Sequence, residues 1–224
     1  MTTIAEQTVE ELGGRESILA RQRRDHVEMD RLMSEHQTMA DGEGRERVLK
    51  EIVQLVFSHA FAEETVLWPA VRRCVVDGQE LTARVEDEHQ QINDLVADIE
   101  RLKPVDPERE EKVRRAFALI RQDIRDEEDL LLPQLQDTLD AAQLRRLGAA
   151  WEAVRKTAPT HPHPVVPRRP PGNAVLGVPL SLFDRARDTL GSRGLTTKAR
   201  KVLTALAGLL VSAMAAVALL RRRR

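Results

Sequence analysis

Three histidines, His26, His59 and His89, and four carboxylates, Glu63, Asp123, Glu127 and Glu128, stand at spacings that can bring them together. Glu63 follows His59 by four residues and Glu127 follows Asp123 by four, so on a helix each pair shares one face. Imidazole nitrogens and carboxylate oxygens gathered in a helical core form the donor set of a di-iron or di-manganese centre. A single histidine on an apolar seam is more often a hydrogen-bonded core residue than a ligand. Three in matched register make the metal the better reading.

The elements that must position these residues are four predicted helices. The first runs from about Arg15 to Ala40 and stops at Asp41-Gly42-Glu43-Gly44; the second runs from Arg45 to Val76 and stops at Asp77-Gly78. The third runs from Gln79 to Arg101. Asp106-Pro107 then supplies an N-cap and a proline at the first helical position for the fourth, which reaches Thr138. Asp140 and Gln143 resemble a capping box for a shorter fifth helix ending near Thr157.

Each long helix carries a seam at steps of three and four that is apolar except near its middle. The seams are Leu19, Gln22, His26, Met29, Met33; Val48, Ile52, Leu55, His59, Ala62, Val66; Val85, His89, Ile92, Val96, Ile99; and Val113, Ala116, Ile120, Asp123, Glu127, Leu130. Four such helices with short connections predict an all-α fold, an antiparallel up-down four-helix bundle. Residues 59–69 align with residues 123–133, and Asp25-His26 aligns with Glu88-His89, at shifts of 64 and 63. Two copies of one hairpin imply a pseudo-two-fold site. No lysine or arginine occupies these seam positions, and a buried carboxylate without a counter-charge costs several kcal/mol. A bound cation is the economical solution.

Composition narrows the chemistry. The single cysteine, Cys74, excludes multi-cysteine zinc and iron–sulfur sites and an intrachain disulfide; it reads as a packing residue. The absence of tyrosine removes tyrosyl-radical chemistry. Residues 1–150 hold 33 acidic against 21 basic side chains, which disfavours nucleic acid as a partner. His36 falls on another face near a helix end and reads as solvated, and His161 and His163 alternate with prolines in a linker.

The chain divides into a flexible N-terminus (1–14), the bundle with its fifth helix (15–157), a proline-rich linker (158–178), a basic amphipathic juxtamembrane segment (179–201), an apolar run (202–220) and a basic terminus (221–224). The nineteen uncharged residues from Val202 to Leu220 nearly reach across a hydrocarbon core of about 30 Å, with basic residues at both ends to snorkel. They predict a single C-terminal transmembrane helix in the cell membrane. No signal peptide precedes the bundle, which places it in the cytoplasm, in line with the positive-inside pattern. The four terminal arginines leave shallow insertion as the alternative. Gly208 and Ser212 give the span a small-residue face that could pair it into a homodimer.

The order His26, His59-x3-Glu63-Glu64-x4-Pro69, Glu88-His89, Glu127-Glu128-x4-Pro133 resembles the hemerythrin-like, or HHE cation-binding, family over roughly residues 15–140. The resemblance implies two non-haem irons held by histidines and bridged by two carboxylates. It makes His26, His59 and His89 terminal ligands, Glu63 one bridge and Glu127 the other, with Glu128 as rival. Two positions depart from the family's pattern: Asp123 and Asn93 stand where histidines are usual. A carboxylate-richer set favours the higher-valent metal, and so redox turnover over reversible O2 storage. The expected function is binding or turnover of O2, peroxide or NO, in sensing or oxidative-stress defence, with catalase- or peroxidase-like chemistry if the protein is an enzyme. Manganese could replace iron. The alternatives are a non-catalytic metal-binding module on a membrane tether and a degenerate domain without metal. A ferritin-like centre would need two Glu-x-x-His motifs, and Glu86-x-x-His89 is a single match.

Overall fold

The computed structural model describes residues 2–158, and every regular element among them is helical. Helix α1 (Ile18–Thr38) opens at Ser17, whose hydroxyl accepts from the Leu19 N–H. Helix α2 (Glu43–Ala62) continues through a wider, five-residue π-turn (Glu63–Leu67) into α3 (Trp68–Cys74). After α4 (Gly78–Arg101) the pattern repeats, with α5 (Pro107–Asp126), a π-turn (Glu127–Leu131) and α6 (Leu132–Thr138). The Asp106 carboxylate caps α5, and the Asp140–Gln143 capping box opens α7 (Ala141–Arg155).

Four long rods therefore form the bundle. Ion pairs fix their directions. Arg45, at the start of α2, grips Glu110, at the start of α5, while Arg109 grips Glu46 in return. Residues 45 and 109, like 46 and 110, differ by 64, so this crossed clasp obeys the same pseudo-two-fold relation as the repeat. Asp98 near the end of α4 accepts from Lys112 near the start of α5, so neighbouring rods alternate in direction.

Each π-turn sits just before a proline, Pro69 or Pro133, the second residue of the helix that follows. A proline ring crowds the carbonyl four residues back and offers no N–H to it, which favours one wider turn. The Trp68 N–H instead reaches Glu63 O and the Leu132 N–H reaches Glu127 O, five residues back. The extra residue rotates everything downstream. Leu67 and Leu131 are fully buried, Val66 is half-buried, and Leu130, expected on the seam, is 44% exposed.

The core is split in two. One apolar cluster gathers Leu19, Leu67, Trp68, Val85, Leu132 and Trp151; the other gathers Met33, Ile52, Phe57, Ile92, Phe117 and Ile120. Along α1, α2, α4 and α5 the polar seam residues lie between these two blocks.

Several expectations need correction. Residues 2–14 are not a flexible leader: Ile4 and Leu12 are fully buried in the first cluster, and Thr3 donates to Glu128 O. Two isolated apolar residues give no periodicity to read. His36 is buried with its ring edge-on to Phe117, not solvated, because α5 crosses the end of α1. Cys74 is exposed, not packed, because α3 ends there. Among the described residues no helix is long and apolar enough to cross a membrane. The expected linker beyond Ala158, the juxtamembrane segment, the span at 202–220 and the Gly208/Ser212 face all lie outside the described residues.

Helix α7 docks through Gly148, where a Cβ would stand 2.3 Å from Glu16 O and 2.8 Å from the Ile18 N. Backbone cannot yield as a side-chain tip can. Gly148→Ala should therefore lower the stability of the bundle by about 1–3 kcal/mol in urea unfolding; an unchanged midpoint would show that α7 is not held there.

Candidate metal centre

Each rod delivers its polar residues to one buried layer. His26 comes from α1, His59 from α2, His89 from α4 and Asp123 from α5, while Glu63 and Glu127 come from the π-turns. His59 Nε2 lies 3.0 Å from Glu63 Oε1, and His89 Nε2 lies 3.6 Å from Glu63 Oε2. His26 Nε2 lies 3.1 Å from Glu127 Oε2 and 3.2 Å from His59 Nε2. His89 Nε2 stands 3.5 Å from Asp123 Oδ2 and 3.9 Å from Glu127 Oε1. Two groups emerge, His26–His59–Glu63–Glu127 and His89–Asp123–Glu127, each with one ligand atom per residue inside a 4.8 Å span.

The opposite ring nitrogens face carboxylates one layer out. His26 Nδ1 pairs with Glu128 at 2.8 Å, His59 Nδ1 with Asp25 at 3.5 Å and His89 Nδ1 with Glu64 at 3.0 Å. An Nδ1–H donated outward turns the Nε2 lone pair inward, the arrangement that orients metal-binding histidines. Each π-turn opens on a pair of adjacent buried carboxylates, Glu63 with Glu64 and Glu127 with Glu128. The first of each pair faces the centre and the second reaches the ring of a histidine on a different rod. Glu128 is thus placed on His26 Nδ1, outside the converging set that contains Glu127.

The inner carboxylates lack hydrogen bonds. Both oxygens of Glu63, both of Glu127 and Oδ1 of Asp123 are buried and unpartnered, although imidazole nitrogens stand close by. Without a cation, protons must balance the charge. Burial opposes protonation of His26, but Glu127 and Glu128 outweigh it and raise its pKa to about 10. Burial is likewise outweighed at His59 by Glu63 and Asp25, giving about 9. Burial, together with the charges of Glu63 and Asp123, pushes Glu127 up to about 8. The donor chemistry and the orphaned oxygens fit a bound metal.

Two tryptophans wall the layer. Trp151 of α7 meets His59 edge-on at 5.4 Å, and Trp68 lies 6.4 Å from His89. Arg155, over the Trp151 ring, stands 3.6 Å from Asp25. The seam pattern names the inner residues but misses Trp68, Trp151 and the role of Asp25. The acid–histidine dipeptide recurring at Asp25-His26 and Glu88-His89 is the signal that could have exposed Asp25.

The family model for the hemerythrin HHE cation-binding domain matches residues 17–135, the stretch that contains every inner residue. The chain belongs to this hemerythrin-like family. An uncharacterized hemerythrin-like protein of Schizosaccharomyces pombe is 24% identical over 133 residues, covering 59% of this chain and 66% of that protein. A Nostoc protein named DNA nickase is 27% identical over 133 residues, covering 59% of this chain and 37% of that protein. The match therefore spans less than two-thirds of either relative. No solved structure matches the chain significantly. Helix α7, which brings Trp151 and Arg155 to this hemerythrin-like layer, lies beyond the family match.

Two outcomes follow. Because His26 and His59 hold protons at neutral pH when no cation is present, metal binding should release protons and tighten as pH rises from 6 towards 9. Zinc calorimetry in buffers of different ionisation heat reads this directly, and no proton release would contradict it. Glu64→Gln, which weakens the acceptor at His89 Nδ1, should cost about 10–100-fold in metal affinity; an unchanged affinity in the same calorimetry would contradict that role.

Proposed function

We propose that this chain is a non-haem iron protein that holds two ions between Glu63 and Glu127 and binds or turns over O2, peroxide or NO, in sensing or oxidative-stress defence. The observation that supports it most is the set of buried, unpartnered carboxylate oxygens converging with three outward-anchored imidazoles. In this reading His26, His59, Glu63 and Glu127 would hold one ion, and His89, Asp123 and Glu127 would hold the other. Glu128, Asp25 and Glu64 orient the rings. Iron, when bound, supplies a redox-active Lewis acid for the small molecule. Manganese fits the same donors.

The chain's own residues supply the setting. The two apolar clusters and the tryptophans exclude bulk water, which strengthens every charge interaction inside. Glu88, half-buried and near the charges of Asp123 and Asp126, has its pKa raised to about 7 and can hold a proton beside the layer near neutral pH. DNA is not a partner in this reading, whatever the name of the Nostoc relative, because residues 1–150 carry 33 acidic and 21 basic groups. The apolar run at 202–220 tethers the bundle to the cytoplasmic face of a membrane.

The full chain purified from iron-rich medium should contain about two metal ions per chain and show visible absorption that changes with peroxide. His59→Ala should abolish that response with the helical content retained. Metal retained without any response to O2, peroxide or NO would favour the non-catalytic module, and no metal at all would overturn the proposal. In fractionated cells the full chain should sediment with membranes and a variant lacking 202–220 should not; identical fractionation would remove the tether.

A further inference from the structure

The internal repeat makes the two halves of the layer directly comparable. The pseudo-two-fold relation carries His26 onto His89, and Glu128 on His26 Nδ1 onto Glu64 on His89 Nδ1; both pairs are present. It carries His59 onto Asp123 and Asp25 onto Glu88. Here the symmetry of the backbone persists and the chemistry breaks. One half has an imidazole, His59, oriented by a carboxylate, Asp25. The other has the carboxylate of Asp123 in place of that ring and Glu88 in place of Asp25. Asn93 adds to the second half. It lies one turn beyond His89 on the same face, fully buried, with both amide atoms unpartnered.

Resting on the two-metal reading above, we propose that the two positions differ in kind: a nitrogen-rich position at His26 and His59 that retains a borderline ion such as iron or zinc, and an oxygen-rich position at His89, Asp123 and Asn93 that takes a harder divalent ion, of the manganese class, and exchanges it. Glu127 belongs to both donor groups, so the distinction falls on the remaining donors. Two imidazoles favour iron and zinc; one imidazole with a carboxylate and an amide oxygen shifts the preference towards manganese and lowers affinity for zinc. The first position has two rings fixed by Nδ1 partners, whereas the second has one, His89 on Glu64. A donor set with fewer oriented imidazoles releases its ion more readily.

The test uses the full chain stripped of metal, loaded with one equivalent of zinc and then one of divalent manganese. Electron paramagnetic resonance should show manganese immobilised while zinc stays bound, and brief chelation should remove the manganese first. Asp123→His should let zinc compete for the second position, narrowing the gap between its two binding steps by about tenfold. His59→Asn should weaken the tight step and leave the weak one. The wild-type loading order carries the test if either variant fails to fold. Loss of zinc and manganese at equal rates, manganese displacing the first zinc, or one metal position in all would overturn the inequality while leaving a metal protein. Failure to bind either ion would instead overturn the functional reading beneath it.

Discussion

Everything in this bundle is arranged around the cost of burying charge. Glu63 and Glu127 are each about 1% exposed or less, enclosed by apolar side chains above and below. Ionised carboxylates in such a place must be balanced by protons or by a cation. The raised pKa values of His26 and His59 are the proton solution. The outward anchoring of each Nδ1 leaves the inner nitrogens free to take the metal solution instead. The same geometry serves both, and the balance between them is set by metal supply and pH.

Two of the four rods pass through a π-turn at the layer. There consecutive glutamates do different work, one inward and one against a neighbouring histidine. This division also links each half of the repeat to the other: Glu64, from the α2–α3 rod, orients His89 on α4, and Glu128, from the α5–α6 rod, orients His26 on α1. The hairpins thus hold each other's ligands in place. The crossed Arg45–Glu110 and Arg109–Glu46 pairs fix the same relation at the far end of the bundle.

Much of this was legible from spacing. Steps of three and four located the rods, and every member of the α1 and α4 seams is buried. The histidines and the two inner glutamates follow from the same register. What spacing could not show is where the register changes. An ordinary α-helical period predicts Val66 and Leu130 inside, and it leaves Glu64 and Glu128 undecided between a supporting role and surface charge. The prolines at 69 and 133 were visible, but their effect depends on the neighbouring rods accepting a wider turn. Burial of His36, Ile4 and Leu12 arises from long-range packing that no local pattern encodes, and Trp151 reaches His59 only because Gly148 lets α7 approach.

The most direct measurement is an anomalous difference map from crystals of the full chain grown with iron. The account predicts two peaks between Glu63 and Glu127, one beside His26 and His59 and the other beside His89 and Asp123. An empty layer, or metal found only on the surface of the bundle, would contradict it.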